Sequence, residues 1–88
     1  MISGSYTITT TSQLILAAAP SSRTIYLHMI GNAVVYLGGA DVTSSNGMPT
    51  EKGAVPFEFF LPPNETLYAV VAAGTETLRV LRPSNDGN

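Results

Sequence analysis

His28 is the single histidine in a chain of 88 residues that contains no cysteine. To act as a general base it needs a nucleophile within hydrogen-bond reach and an acid to orient it. It stands between Leu27 and Met29, in a run whose apolar residues recur at every second position. It therefore points away from the side that those residues bury, as a surface or interface side chain. The acids are Asp41, Glu51, Glu58, Glu65, Glu76 and Asp86. No two stand at i and i+2, the spacing that places carboxylates side by side on one strand. A glycosidase pair drawn from distant loops needs a substrate cleft, and a chain this small has little room for one. One imidazole and no thiol are too few for an ordinary zinc site. No catalysis, metal or cofactor is expected.

Two local motifs have bland readings. Gly38-Gly39-Ala40-Asp41-Val42-Thr43-Ser44-Ser45-Asn46-Gly47 is glycine-rich and follows a strand-like run. A phosphate-cradling loop needs a helix after it and usually a lysine, and this one has neither. The alternating acids and terminal glutamate of an EF-hand are also missing. It reads as a shaped turn in which Asp41 and Thr43 bond to nearby backbone amides. Asn64-Glu65-Thr66 matches the glycosylation acceptor pattern. With no basic n-region in Met1-Ile2-Ser3-Gly4-Ser5, no export signal is expected, and the match is read as chance.

The elements that must hold these residues are strands. Tyr6 and Ile8 alternate with Thr7 and Thr9; Ile25, Leu27 and Met29 with Thr24, Tyr26 and His28; Phe57, Phe59 and Leu61 with Pro56, Glu58 and Phe60; Leu78 and Val80 with Thr77, Arg79 and Leu81. Period two is the signature of strands with one buried face. Residues 33–37 and 67–72 are apolar on both faces, so they should be central strands or meet a partner. Residues 13–18 form a further short strand, cut off by Pro20. Gly31-Asn32 reads as a tight hairpin, and Ala73-Gly74-Thr75 as a second one. The expected fold is all-β: one domain over residues 1–88, a small antiparallel β-sandwich or barrel, jelly-roll-like, of about seven to eight short strands. Residues 1–12 are a candidate extended arm and 83–88 a loose tail.

Charge is scarce. Lys, Arg, Asp and Glu make up 11% of the chain, against about 25% in an ordinary soluble domain. Exposed sheets normally use charge to stay apart and to guard their edges. Its scarcity implies that copies of the chain, or a larger assembly, cover much of the surface. The formal net charge of −2, with Arg23, Lys52, Arg79 and Arg82 scattered, argues against nucleic acid. No apolar run approaches the roughly 20 residues of a membrane span, so no membrane partner is expected. The candidate interface side chains are Tyr6 on the arm, Tyr26, Tyr36 and Tyr68 on strands, and Phe60 pointing opposite Phe57 and Phe59.

Val34-Val35-Tyr36-Leu37-Gly38-Gly39-Ala40-Asp41-Val42-Thr43, then Asn46-Gly47-Met48-Pro49, Leu67-Tyr68-Ala69-Val70-Val71-Ala72 and Gly74-Thr75-Glu76-Thr77-Leu78-Arg79-Val80-Leu81 form a series. It resembles the small β-sandwich virion proteins of tailed bacteriophages, over roughly residues 23–82. The resemblance implies a capsid decoration or cement protein, or a related head or tail accessory part, and brings no catalytic residues. It also implies a homo-oligomer, expected to be a trimer. The protein would be made in the host cytoplasm and bound to the major capsid protein on the outer shell. There it would bridge capsomers by many weak contacts, with the segment from Tyr6 to Ser12 adding a strand to a neighbour's edge. The alternative is a tail- or fibre-associated module that recognises a host surface glycan, with Tyr26, Tyr36 and Tyr68 stacking on sugars; the lack of tryptophan counts against it.

Overall fold

The computed structural model describes residues 2–51 and 57–83, the side chain of Phe57 excepted. Eight strands succeed one another: β1 (Ile2–Ile8), β2 (Gln13–Leu16), β3 (Arg23–Met29), β4 (Val35–Gly38), β5 (Met48–Thr50), β6 (Phe57–Leu61), β7 (Leu67–Val71) and β8 (Glu76–Arg82). They form two antiparallel sheets of four, in the orders β1-β8-β3-β6 and β2-β7-β4-β5. The chain is a small β-sandwich, one of the two forms that its period-two patterning allows.

The topology has a simple origin. β1 pairs with β8, β2 with β7, β3 with β6, and β4 with β5. That is the ladder of one long hairpin, folded at the segment between β4 and β5. Rolling this hairpin brings β3 beside β8 and β4 beside β7, which completes both sheets as a jelly roll. Every connection between consecutive strands then passes from one sheet to the other, except that between β4 and β5.

Two expected hairpins are corrected by this. Gly31-Asn32 does not join paired strands: β3 and β4 lie in different sheets. Ala73-Gly74-Thr75 likewise carries the chain from β7 to β8 across the sandwich. Gly74 has φ +69°, so the left-handed turn that its type suggested is present. Glycine and asparagine reverse the backbone equally well within a sheet or between two. The expected arm is corrected too. Ile2 to Ile8 pair with Arg82 to Glu76 in unbroken register, so β1 is an edge strand of its own sheet. Of the expected loose tail, residues 84–88 lie outside the described part. The two doubly apolar runs do form the central strands of their sheet, β4 and β7.

Between the sheets lies one cluster. Ile8, Ile25, Leu27, Met29, Val35, Leu67, Val71 and Leu78 are fully buried in it. In β3 the buried positions are Arg23, Ile25, Leu27 and Met29, with Thr24 and Tyr26 exposed between them. β2 breaks strict alternation. Its register shifts between Leu14 and Leu16, so that Ile15 and Leu16 are both buried; a bulge admits two consecutive inward residues.

Inward polar side chains bind backbone groups. Thr50 donates to the Val35 carbonyl at 2.8 Å. Arg23 donates from Nη2 to the Glu65 carbonyl at 3.1 Å, and the Asn64 amide donates to the Ala19 carbonyl at 2.7 Å. These bonds fasten the connection before β3 to the one after β6. Buried Glu76 accepts hydrogen bonds from the amides of Gly31 and Ala33, the latter at 3.0 Å. The carboxylate at the start of β8 thus pins the crossover between β3 and β4.

Candidate functional site

The solvent face of the first sheet is laid out in rows by its register. Ser5, Arg79 and His28 are lateral neighbours, and Ser3, Leu81, Tyr26 and Glu58 form the next row. Over these rows lies a shallow trough of roughly 650 Å³, lined by Ser3, Gly4, Ser5, Tyr26, His28, Arg79, Val80 and Leu81. It exists because β1 contributes only serine and glycine beside the taller Tyr26 and His28. Tyr26 donates its hydroxyl proton to Glu58 Oε2 at 3.3 Å, which holds the ring on the trough wall.

The serine in the lateral row of His28 is not placed to serve it as a nucleophile. Ser5 lies two strands away, with β8 between, so their backbones are about 10 Å apart at ordinary strand spacing. The nucleophile–base pair of an acyl-transfer site needs about 2.6–3.2 Å between heavy atoms. The acids are dispersed. Glu76 is buried against the crossover, Glu58 is on the outer face beneath Tyr26, and Asp41 and Glu65 are on exposed loops. Among the described residues no group of three or more His, Asp or Glu side chains stands together as a metal site.

The second sheet is chemically different. No residue of β2, β4, β5 or β7 carries a charge. Its outer face presents Leu14 opposite Tyr68, Tyr68 opposite Gly38, and Tyr36 between Val70 and Pro49. Leu14 is 45% exposed, while Val70, on this same face, is only 4% exposed. Part of the cover comes from the loop after β4. Buried Val42 lies against the face beside Gly38, where an added Cβ would meet its Cγ2 at 2.8 Å. At Gly47 a Cβ would come within 2.7 Å of both Val42 Cγ2 and Tyr36 Cβ. These glycines allow the loop to fold back flat on Tyr36. Thr43 and Asn46 hold its shape: Asn46 Oδ1 accepts from the Thr43 amide at 2.7 Å, and Thr43 Oγ1 accepts from the amides of Ser45 and Asn46. Thr43 thus bonds nearby backbone amides as expected, and the second side chain that does so is Asn46; Asp41, expected to share that role, is exposed. Ser12 donates to the Ala40 carbonyl at 3.3 Å, tying the loop to the start of β2.

The five candidate interface residues fall in three places. Tyr26 and the 59%-exposed Phe60 are on the outer face of the first sheet. Tyr36 and Tyr68 share the outer face of the second. Tyr6 is on neither. It shares its parity with Ile8, packs against the core, and lies over Gly4, where an added Cβ would meet its ring at 3.1 Å. The free arm on which it was expected is a paired strand, and its partly buried ring packs on the core. The three tyrosines expected to stack on sugar are likewise split between opposite faces. Sequence reasoning missed Leu14 and Val42. A leucine facing outward is invisible until the β2 bulge fixes which side Leu14 takes, and Val42 sits in a segment that reads as turn alone. Set against known proteins, the chain matches no family model, no curated protein and no solved structure.

Proposed function

We propose that the chain is a structural virion subunit, a capsid decoration protein that associates with copies of itself and with the major capsid protein through the outer face of its uncharged sheet. The observation that carries this reading is the contrast between the two sheets. One keeps every charged strand residue, and the other offers Leu14, Tyr68, Tyr36 and Pro49 without a single charge on its strands. Interface centres are depleted in charge and enriched in tyrosine, and a tyrosine supplies apolar area with a polar tip that tolerates water at the rim. The phage-like patterning of residues 23–82 supplies the virion context. Jelly rolls recur in viral capsids, a fold-level analogy that adds only modest weight. Each copy need contribute only a weak contact, because a closed oligomer engages a shell at several points at once.

Sedimentation velocity tests the reading. Wild-type protein is expected to run as a closed oligomer, a trimer, at micromolar concentration and to bind capsids that lack it. Leu14→Lys, a change at an exposed site, is expected to run as a folded monomer. Wild-type protein that stays monomeric and leaves such capsids bare would sink the proposal.

A further inference from the structure

The trough on the charged sheet lies on the opposite side of the sandwich from the proposed docking face. Its chemistry is that of a ligand site rather than a protein contact. We infer that it binds a sugar ring bearing a single carboxylate, a hexuronic acid unit. The inference does not rest on the assembly reading.

Four observations lead there. First, the volume of roughly 650 Å³ is that of a small-molecule site, commonly about 300–1,000 Å³. Second, the walls sort by type. Tyr26 and Leu81 are register partners and give an apolar patch, while Arg79 and His28 are register partners and give a polar one directly beside it. A pyranose has the same division, with an apolar C–H face that stacks on an aromatic ring and a polar rim. Third, Arg79 is the one residue of permanent positive charge in the lining. A guanidinium engages a carboxylate in a planar, two-pronged fit, and one permanent positive charge in the lining balances a monoanion rather than a phosphate dianion. Ser3 and Ser5, on the low β1 side, add hydroxyls that give and accept hydrogen bonds with a polyol.

The fourth observation argues against a peptide bound as an added strand over the trough floor. An extended peptide binds chiefly through main-chain bonds to an open strand edge. Here the floor is the middle of a sheet: β8 is paired on one side with β1 and on the other with β3. Its backbone groups are spent in those ladders, and only side chains remain to read a ligand.

Tyr26 is the orienting element. Its hydroxyl is tethered to Glu58, so the ring is held before the ligand arrives, which lowers the ordering cost of binding.

The test is an amide and side-chain NMR titration of the full chain in whatever association state it adopts in solution, with glucuronate, glucose and acetate as separate probes. Glucuronate is expected to give saturable shifts at Tyr26, His28, Arg79 and Ser5 at millimolar concentration, with glucose and acetate each at least about tenfold weaker. Arg79→Gln is expected to weaken glucuronate binding by about tenfold or more, with the glucose response unchanged. Ser5→Phe, which fills the trough from the β1 side, is expected to abolish the shifts. The spectra themselves report whether each variant is folded. No saturable shift with glucuronate, equal shifts with acetate alone, or undiminished binding in Arg79→Gln would each overturn the assignment. A monomer that still binds glucuronate leaves this inference standing and removes only the assembly reading.

Discussion

Replacing Glu76 with glutamine is the sharpest probe of how this sandwich is held together. The side chain is 4% exposed and accepts from the amides of Gly31 and Ala33. A hydrogen bond to a charged group contributes about 1.5–3 kcal/mol, a neutral one about 0.5–1.5. Glutamine keeps one acceptor oxygen, so one bond weakens by about 1 kcal/mol. Its amide nitrogen then faces the other backbone N–H, and leaving that donor unsatisfied costs about 1–3 kcal/mol. Relief of the carboxylate's own desolvation offsets part of this, giving a net loss of about 2 kcal/mol. At about 0.05–0.15 kcal/mol per residue, the whole chain is stable by only about 4–13 kcal/mol. Glu76→Gln is therefore expected to fold with a lowered urea midpoint and an unchanged m-value. Hydrogen exchange is expected to quicken first at the amides of Gly31 and Ala33. A stability change under about 0.5 kcal/mol, with both amides as protected as before, would refute the idea that this carboxylate pins the crossover.

Gly47→Ala is expected to cost about 1–3 kcal/mol, because the new methyl meets Tyr36 and Val42 at 2.7 Å; limited proteolysis should show the loop at residues 39–46 cut faster. Tyr6→Ala is expected to cost about 2–4 kcal/mol in chemical denaturation, since the ring packs on the core, whereas Phe60→Ser, at a side chain 59% exposed, should stay within about 0.5 kcal/mol. Gly74→Ala should cost about 1–2 kcal/mol from left-handed strain alone, because nothing lies within 4 Å of the added Cβ; Gly74→Asn should recover most of it in the same thermal melts.

Period two makes most of the sandwich legible in the residues alone. The buried sets of β3 and β8 follow from alternation, and the two doubly apolar runs, expected to be central strands or to meet a partner, are the central strands of a sheet. Which strands pair was not legible. A Gly-Asn dipeptide reverses the chain, but the partner of β3 is decided by the rolled hairpin, in which it pairs with β6 and β8. Glu76 shows the same limit from the other side. In sequence it is one acid among six. It becomes structural only when the crossover brings two backbone N–H groups to it from residues 31 and 33. The trough was illegible for a related reason: Ser5, Arg79 and His28 come from three separated segments and meet only through register. Tyr6 was readable and misread. Its alternation with Thr7 places it beside Ile8 on the inner face, and the hydroxyl-rich segment around it suggested an arm instead.

An uncharged sheet invites two kinds of association, through its face or along its edges, and edge pairing has no natural end. The second sheet limits the edges by means other than charge. One edge strand, β5, has three residues, and the middle one is Pro49, which has no N–H to donate. The other, β2, has four residues and a register shift that bends it away from a flat template. Short, bulged and proline-bearing edges are the devices that keep strands from adding indefinitely. With both edges blunted, the exposed apolar surface left on this sheet is its face around Leu14 and Tyr68, with Met48 at the β5 rim, and a face contact between copies can close on itself as a finite ring. β1 carries none of these devices. Its seven residues are uncharged and present only the hydroxyls of Ser3, Ser5 and Thr7 outward, but that edge belongs to the sheet whose outer face holds Glu58, Arg79 and the trough. The scarcity of charge is therefore not uniform: the strands of the sheet proposed to meet a neighbour carry none, and the sheet that holds the trough carries every charged strand residue.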